Sequence, residues 1–206
     1  MQFVRIRHSL RSDSIMGQSP QALVPATTDV KTMLSNKQLK LHQELGIPAD
    51  YGRDGSPPFH AEASDLIDVG PNLVGRMQQL TPEAAARWQQ MVELASDDGV
   101  RLLIVSGFRS FEYQAQLISN KLESGQAIQD ILKVNAAPGF SQHHTGAAVD
   151  IATPGSRPLT EEFADSNAFT WLSDNAPQFG FSMTYPADNP YGFIYEPWHW
   201  AQNPGF

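Results

Sequence analysis

Between residues 81 and 200, helical and strand-like segments are mixed, and the last two strand-like runs follow one another across a turn. A doubly wound parallel sheet needs a helical crossover between successive strands. This order therefore predicts an α+β domain with a small, largely antiparallel sheet flanked by helices. The first helix starts at Thr81, where an N-cap threonine is followed by Pro82 at the first helical position and Glu83 in the first turn. Trp88, Met91, Val92 and Ala95 then recur at helical spacing, and Gly99 ends the run. Residues 101–106 (RLLIVS) are short, apolar and β-branched, as a buried strand requires. Ser110 caps a second helix with Tyr113, Leu117 and Ile118 on one face, and a third helical stretch is expected from Gln126 to Val134. Strands are expected over Thr145 to Ala152, Phe181 to Tyr185 and Phe193 to Trp200. Short helices are expected at Glu161 to Ala164 and around Phe169, Leu172 and Ala176.

The front of the chain reads differently. Residues 1–40 are polar and lack sustained periodicity, so they are expected to form an extended or mobile arm, with the domain proper over 41–206. The arm is basic, holding Arg5, Arg7, Arg11, Lys31, Lys37 and Lys40 against Asp13 and Asp29. A solvated arm and a contact with an anionic polymer both fit that pattern. Residues 41–70 carry many turn signals and are expected to wrap on the body as loops.

The whole chain of 206 residues has a formal net charge of −8, which argues against a nucleic-acid partner. It contains no stretch near the roughly 20 apolar residues of a membrane helix. Its first residues have arginines without the apolar run of a secretory signal. With no cysteine, a tightly held metal ion would have to use His, Asp, Glu or water.

Three clusters carry chemistry. The first is Ser141-Gln142-His143-His144-Thr145-Gly146-Ala147-Ala148-Val149-Asp150. Asp150 and Ala148 fall on one face of a strand, and Gly146 lets the chain turn so that His143 can fold back over the strand start. Taken alone, this is equally a turn in which Asp150 only accepts hydrogen bonds. The second is Glu196-Pro197-Trp198-His199-Trp200, a carboxylate and an imidazole three apart on a stiff apolar segment; alone it is equally an edge strand with an aromatic cap. Together, His143, Asp150 and His199 make a three-ligand set that leaves a fourth position for water, the pattern of a catalytic rather than a structural zinc. Glu196 is then placed to act as general base. The third is Ser106-Gly107-Phe108-Arg109-Ser110, with Gln114 one turn on. Arg109 sits on a strand-to-helix turn, where it could stabilise an oxyanion, hold a substrate carboxylate, or simply pair with a surface acid. His8, His42 and His60 have no partner in view and read as surface or satisfied core residues.

Ser-x-His-x-x-Gly-x-Ala-x-Asp, a later Glu-x-x-His, and an upstream Ser-Gly-Phe-Arg-Ser-x-x-x-Gln together resemble the VanY-type D-alanyl-D-alanine carboxypeptidases. That zinc peptidase group also holds VanX-type dipeptidases, lysostaphin-like enzymes and the Hedgehog domain. The resemblance covers about residues 73–202. It implies one zinc ion in a cleft held by His143, Asp150 and His199, with Glu196 as catalytic base and Arg109 assisting the transition state or the substrate carboxylate. It also implies that Ser141 and Gln114 line the substrate site and that His144 is a neighbour rather than a ligand. The implied activity is removal of the terminal D-alanine from peptidoglycan stem peptides, at the cell envelope where that polymer lies. An L,D-carboxypeptidase, dipeptidase or endopeptidase on the same peptides, and a zinc-bearing binding module without catalysis, are the readings that compete with it.

Overall fold

The structure, a computed structural model, describes residues 33–54 and 56–202. Its main sheet has four antiparallel strands: β3 (Leu103–Ser106), β4 (Ala148–Ala152), β5 (Phe181–Met183) and β6 (His199–Gln202). Their spatial order is β3-β4-β6-β5. A separate antiparallel hairpin pairs β1 (Ile67–Pro71) with β2 (Met77–Leu80). The α+β class and the antiparallel sheet flanked by helices are as the element order predicts.

Local chemistry explains the helices. In α2 (Pro82–Asp97) the Thr81 side chain accepts from the Ala84 N–H, Pro82 fills the first position, and Ala84, Ala85, Trp88, Met91 and Ala95 form the buried face. In α3 (Phe111–Glu123) the Ser110 hydroxyl caps the Tyr113 N–H, and Phe111, Gln114, Ala115 and Ile118 are buried. The stretch expected from Gln126 to Val134 shortens to the single turn α4 (Ile128–Ile131), which has no side-chain cap. After Ser166, which caps α5 (Asn167–Asn175), the chain tightens into a 3-10 turn with Pro177 near its start.

Every residue of β4 is buried, because the sheet is covered on both faces. Alternation sends Val149 and Ile151 into a first core with Met91, Ile104, Leu172 and Trp200. A second core joins Phe111, Ile118, Ile131, Phe140, Tyr185 and Phe193. Asp150 lies on the opposite face of β4 from Val149 and Ile151. The register sets it directly across from His199 on β6 and, past a bulge, from Ser106 on β3. Cross-strand partners share a face, so β4 and β6 present Asp150 and His199 side by side.

Four expectations are corrected. The arm over residues 1–40 falls mostly outside the described residues, but its last five residues open helix α1 (Asn36–Glu44), closed at its start by a capping box between Ser35 and Gln38. The loop-rich segment 41–70 contains β1. The strand expected over Phe193 to Trp200 begins only at His199 and runs to Gln202. Ahead of it Pro197 offers no N–H, and the His199 N–H turns back to the Glu196 carbonyl at 3.1 Å. Likewise, the strand expected from Thr145 begins only at Ala148, because Thr145 closes a 3-10 turn, Gln142–Thr145, ahead of it. Among the described residues no helix is long and apolar enough to cross a membrane.

Candidate active site

His143, Asp150 and His199 converge, with one possible ligand atom from each lying within 4.8 Å of the others. All three are buried. Their hydrogen bonds decide which ring nitrogens face inward. His143 Nδ1 sits 2.7 Å from the Gly107 carbonyl oxygen, which can only accept, so Nδ1 carries the proton and Nε2 presents a lone pair. His199 lies between two acceptors, with Nε2 2.9 Å from Gln142 Oε1 and Nδ1 2.9 Å from Asp150 Oδ1; the tautomer with its proton on Nε2, toward Gln142, leaves the lone pair on Nδ1. Those two lone pairs lie 3.2 Å and 2.9 Å from the same oxygen, Asp150 Oδ1. In those tautomers two ring nitrogens and a carboxylate oxygen converge as a donor set that suits a cation. The residues fit a three-ligand metal site with an open position.

A second observation agrees. Among the described residues, the buried side-chain polar atoms left without a hydrogen-bond partner are His143 Nε2 and Arg109 Nε. Buried polar groups are normally satisfied, so two orphans in one place mark a site built for something else. One is a lone pair and the other an N–H, so a cation and an anionic oxygen would satisfy them together. Arg109 is held from both sides, with Nη2 3.3 Å from Asp150 Oδ2 and Nη1 3.4 Å from Gln114 Oε1. It therefore pairs with a buried carboxylate, not with a surface acid.

Burial works against the charge on Asp150. The His143 and His199 rings on its oxygens and the Arg109 guanidinium nonetheless hold its carboxyl well below the usual range. Burial, helped by the Arg109 charge, pushes His143 down to about 4, so the ring is neutral and able to ligate. Glu196 is also buried. Burial, reinforced by the Asp150 charge, pushes its carboxyl up to about 8. Two carboxylates on one site with pKa values driven apart could serve as a permanent anion and a proton carrier.

Glu196, Ser141, Gln114, Arg109, His143 and His199 all line one small cleft of about 20 Å³, which Tyr185 and Phe193 help to wall. That is room for about one water. Gln114 is committed, with its Nε2 on the Ala136 carbonyl at 2.8 Å and its Oε1 on Arg109, so it braces Arg109 while lining the cleft. His144 points away from the ligand cluster. Its Nε2 accepts from the Gly139 N–H, its Nδ1 lies 2.6 Å from the Arg109 carbonyl, and its ring stacks on Phe111. It pins the backbone of Arg109. Of the other histidines, His42 is a buried residue 2.7 Å from the Pro138 carbonyl, and His8 lies outside the described residues. His60 is half-buried, its pKa lowered by burial and then by nearby His199.

Residues 77–204 match the VanY family, described as D-alanyl-D-alanine carboxypeptidase. The chain belongs to the VanY family. A D-alanyl-D-alanine carboxypeptidase of Enterococcus faecalis is 33% identical over 170 residues, 78% of this chain and 56% of the relative. This chain thus spans about half the length of that relative. Among solved structures, the LdcB LD-carboxypeptidase, described for its peptidoglycan recognition, aligns with a TM-score of 0.62 at 32% identity, covering 70% of this chain and 71% of that one. A Zn(II)-bound variant of the vancomycin-resistance D,D-pentapeptidase VanY aligns with a TM-score of 0.52 at 26% identity, covering 76% of this chain and 82% of that one.

Sequence reasoning missed Gln142, which fixes the tautomer of His199 and accepts from Thr184 Oγ1 at 2.7 Å. It also missed Tyr185, whose ring stacks on His199 with centroids 4.7 Å apart. Gln142 stands inside the His143 motif, but nothing in the pattern says that it reaches His199. Tyr185 reads as one more aromatic in a strand.

Proposed function

We propose that this VanY-family chain is a zinc-dependent carboxypeptidase that removes the terminal D-alanine from peptidoglycan stem peptides, acting at the cell envelope where that polymer lies. The observation that carries the reading is the convergence of His143 Nε2 and His199 Nδ1 on Asp150 Oδ1. His143, Asp150 and His199 would hold the ion. When bound it supplies Lewis acidity, toward both the scissile carbonyl and a water.

The chain's own groups do the rest. Glu196 takes the proton of the attacking water and passes it to the leaving amine. Its burial keeps it neutral up to about pH 8 when no cation is beside it, and it ionises more readily once one is present. Arg109 Nε–H, left without a partner in the fold, is free to donate to an anionic substrate oxygen, either the terminal carboxylate or the oxyanion of the tetrahedral intermediate. Gln114 and Asp150 hold the guanidinium in place for that bond, and Ser141 lines the cleft beside it.

The likeness to LdcB favours a second reading, an L,D-carboxypeptidase that trims a stem ending in a single D-alanine. Zinc-loaded protein incubated with stem peptides ending in D-Ala-D-Ala and in one D-Ala, with products followed by mass spectrometry beside Glu196→Gln, separates the two. Loss of one D-alanine from the first peptide, absent in the variant, is expected. Loss only from the second moves the enzyme to the L,D class, and an internal cut makes it an endopeptidase. Release of intact D-Ala-D-Ala makes it a dipeptidase. No cleavage of either peptide by a zinc-bearing protein leaves a binding module.

A further inference from the structure

The small cleft, with room for about one water, does not account for the peptide upstream of the bond cut. A second, larger cleft of about 390 Å³ begins at the same residues: Arg109 and Asp150 form its inner wall, and Arg76, Met77, Tyr113 and Leu159 are on its outer walls. Arg109 borders both spaces. We propose that this cleft seats the part of the peptide on the amino side of the bond cut, and that Arg76 reads a carboxylate there. The inference rests on the carboxypeptidase reading and names a specificity determinant for it.

Four features of the cleft support this. First, Arg76 is placed rather than loose. Asn72 Oδ1 accepts from the Val74 and Arg76 N–H groups, while Asn72 Nδ2 donates to the Val105 carbonyl at 3.0 Å, tying the hairpin loop to β3. The guanidinium then lies 4.4 Å over the centre of the Tyr113 ring. A guanidinium stacked on a ring keeps its in-plane N–H groups free for an acceptor and loses little freedom on binding one.

Second, its charge is not spent inside the fold. Lys37, Lys40, Arg109, Lys133 and Arg157 each have a carboxylate partner, whereas Arg76 has none among the described residues. Arg53, Arg101 and Lys121 likewise show no ion pair among the described residues, so what sets Arg76 apart is its place over the Tyr113 ring on the cleft wall. Third, the other charged groups on the cleft, Arg109 and Asp150, are paired with each other, so Arg76 is the charge left over there and makes the cleft a local attraction for an anionic group in an otherwise acidic body.

Fourth, Leu159 holds a left-handed backbone, φ 57°, with its side chain 46% exposed on the cleft wall. A leucine adopts that conformation at a cost, and such outliers cluster at ligand clamps. Together with Met77, 50% exposed, it gives the cleft an apolar lip on which the peptide's aliphatic portions can lie. A volume of several hundred Å³ with an apolar lip and fixed polar groups falls within the range of ligand sites.

The test uses two stem-type peptides ending in D-Ala-D-Ala, one with free carboxylates upstream of that end and the other with those carboxylates amidated. Wild-type protein is expected to favour the acidic peptide by about tenfold in kcat/KM, expressed in KM, the size of one partly exposed charge-assisted hydrogen bond. Arg76→Ala should bring the ratio to one, Arg76→Lys should keep part of it, and Arg76→Glu should invert it. Zinc content and thermal midpoint report that each variant is folded. The proposal fails if wild-type protein has no preference, or if the preference survives in Arg76→Ala. If neither peptide is cleaved, the carboxypeptidase reading fails. The subsite is then decided by fluorescence polarisation of the same two labelled peptides, where the acidic one should bind more tightly to wild type but not to Arg76→Ala. Equal binding overturns the subsite.

Discussion

His199 has two ring nitrogens, and the amide of Gln142 selects which of them faces Asp150. Because Oε1 of Gln142 also accepts from the Thr184 hydroxyl, its amide is oriented with the oxygen toward the ring. Outer partners of this kind typically change metal affinity by about 10–100-fold when lost. Gln142→Leu is therefore expected to weaken zinc binding by about that factor, and Gln142→Glu, which keeps an acceptor, to retain most of it. Competition against a chromophoric chelator measures both, and equal affinities for the two variants would remove the tautomer argument. Glu196 makes a different kind of prediction. Its folded pKa of about 8 stands above the ordinary 4.5. A raised carboxyl stabilises the fold fully below its unfolded pKa, and the contribution is lost as pH rises through the folded one. In chelated protein the neutral Glu196→Gln side chain does not incur that loss. The variant should gain stability on wild type between about pH 4.5 and 8, by an amount on the order of a few kcal/mol, and no more above that range. Urea unfolding at pH 5 and pH 8.5 measures the difference between the two proteins; the same difference at both pH values would mean that Glu196 is not buried in its charged form.

The element that organises the site is the turn from β3 into α3. Along it the Gly107 N–H donates to Gln78 Oε1, the Gly107 carbonyl accepts from His143, the Phe108 N–H donates to the Gln79 carbonyl and the Arg109 N–H to the His143 carbonyl. A Cβ at position 107 would stand 2.6 Å from the Gln79 carbonyl oxygen, so backbone would have to move. Gly107→Ala should cost about 1–3 kcal/mol and lower zinc content together, because the displaced turn carries the acceptor of His143. Calorimetry with metal analysis checks this, and an unchanged midpoint and metal content would show that the turn accommodates the methyl.

Much of this element was legible. The Thr81 and Ser110 caps work through bonds to residues three positions away, and the buried strand declares itself by composition. Position parity in β4 places Asp150 opposite Val149 and Ile151 without any knowledge of the fold. What was not legible depends on distant partners. Gln78 is buried in β2 because its amide serves Gly107 and the Arg76 and Met77 carbonyls, so β2 shows polar residues where a strand pattern needs apolar ones. Helix α1 buries His42, whose ring is satisfied by the Pro138 carbonyl 96 positions away, so it carries almost no apolar stripe. The aromatic run from Phe193 suggested a strand, but a backbone turn brings Glu196 to the mouth of β6. Glu196 and His199 share the cleft for that reason rather than through strand spacing.

At the scale of the whole molecule the site is a joint. One face of β4 and β6 sends Val149, Ile151 and Trp200 into the first core, while the ligand-bearing face meets Tyr185, which belongs to the second. His143 comes from the turn that follows Phe140 of that second core. An ion held by His143, Asp150 and His199 would therefore bind only when both cores are assembled, and a ligand that binds the folded state alone stabilises it by mass action. At free zinc of 100 times its dissociation constant the gain is about 2.7 kcal/mol. For a domain of this size that raises the thermal midpoint by about 5–10 °C over chelated protein. His199→Ala should lose the increment. Asp150→Ala should lose it too and fall further when chelated, because Arg109 is left buried with a charge and no carboxylate beside it. Differential scanning calorimetry of the three proteins with zinc and with chelator gives the comparison. A full zinc increment in either variant would remove that residue from the ligand set. An unchanged wild-type midpoint after verified metal loss would mean that the hydrogen bonds already present hold the joint without an ion.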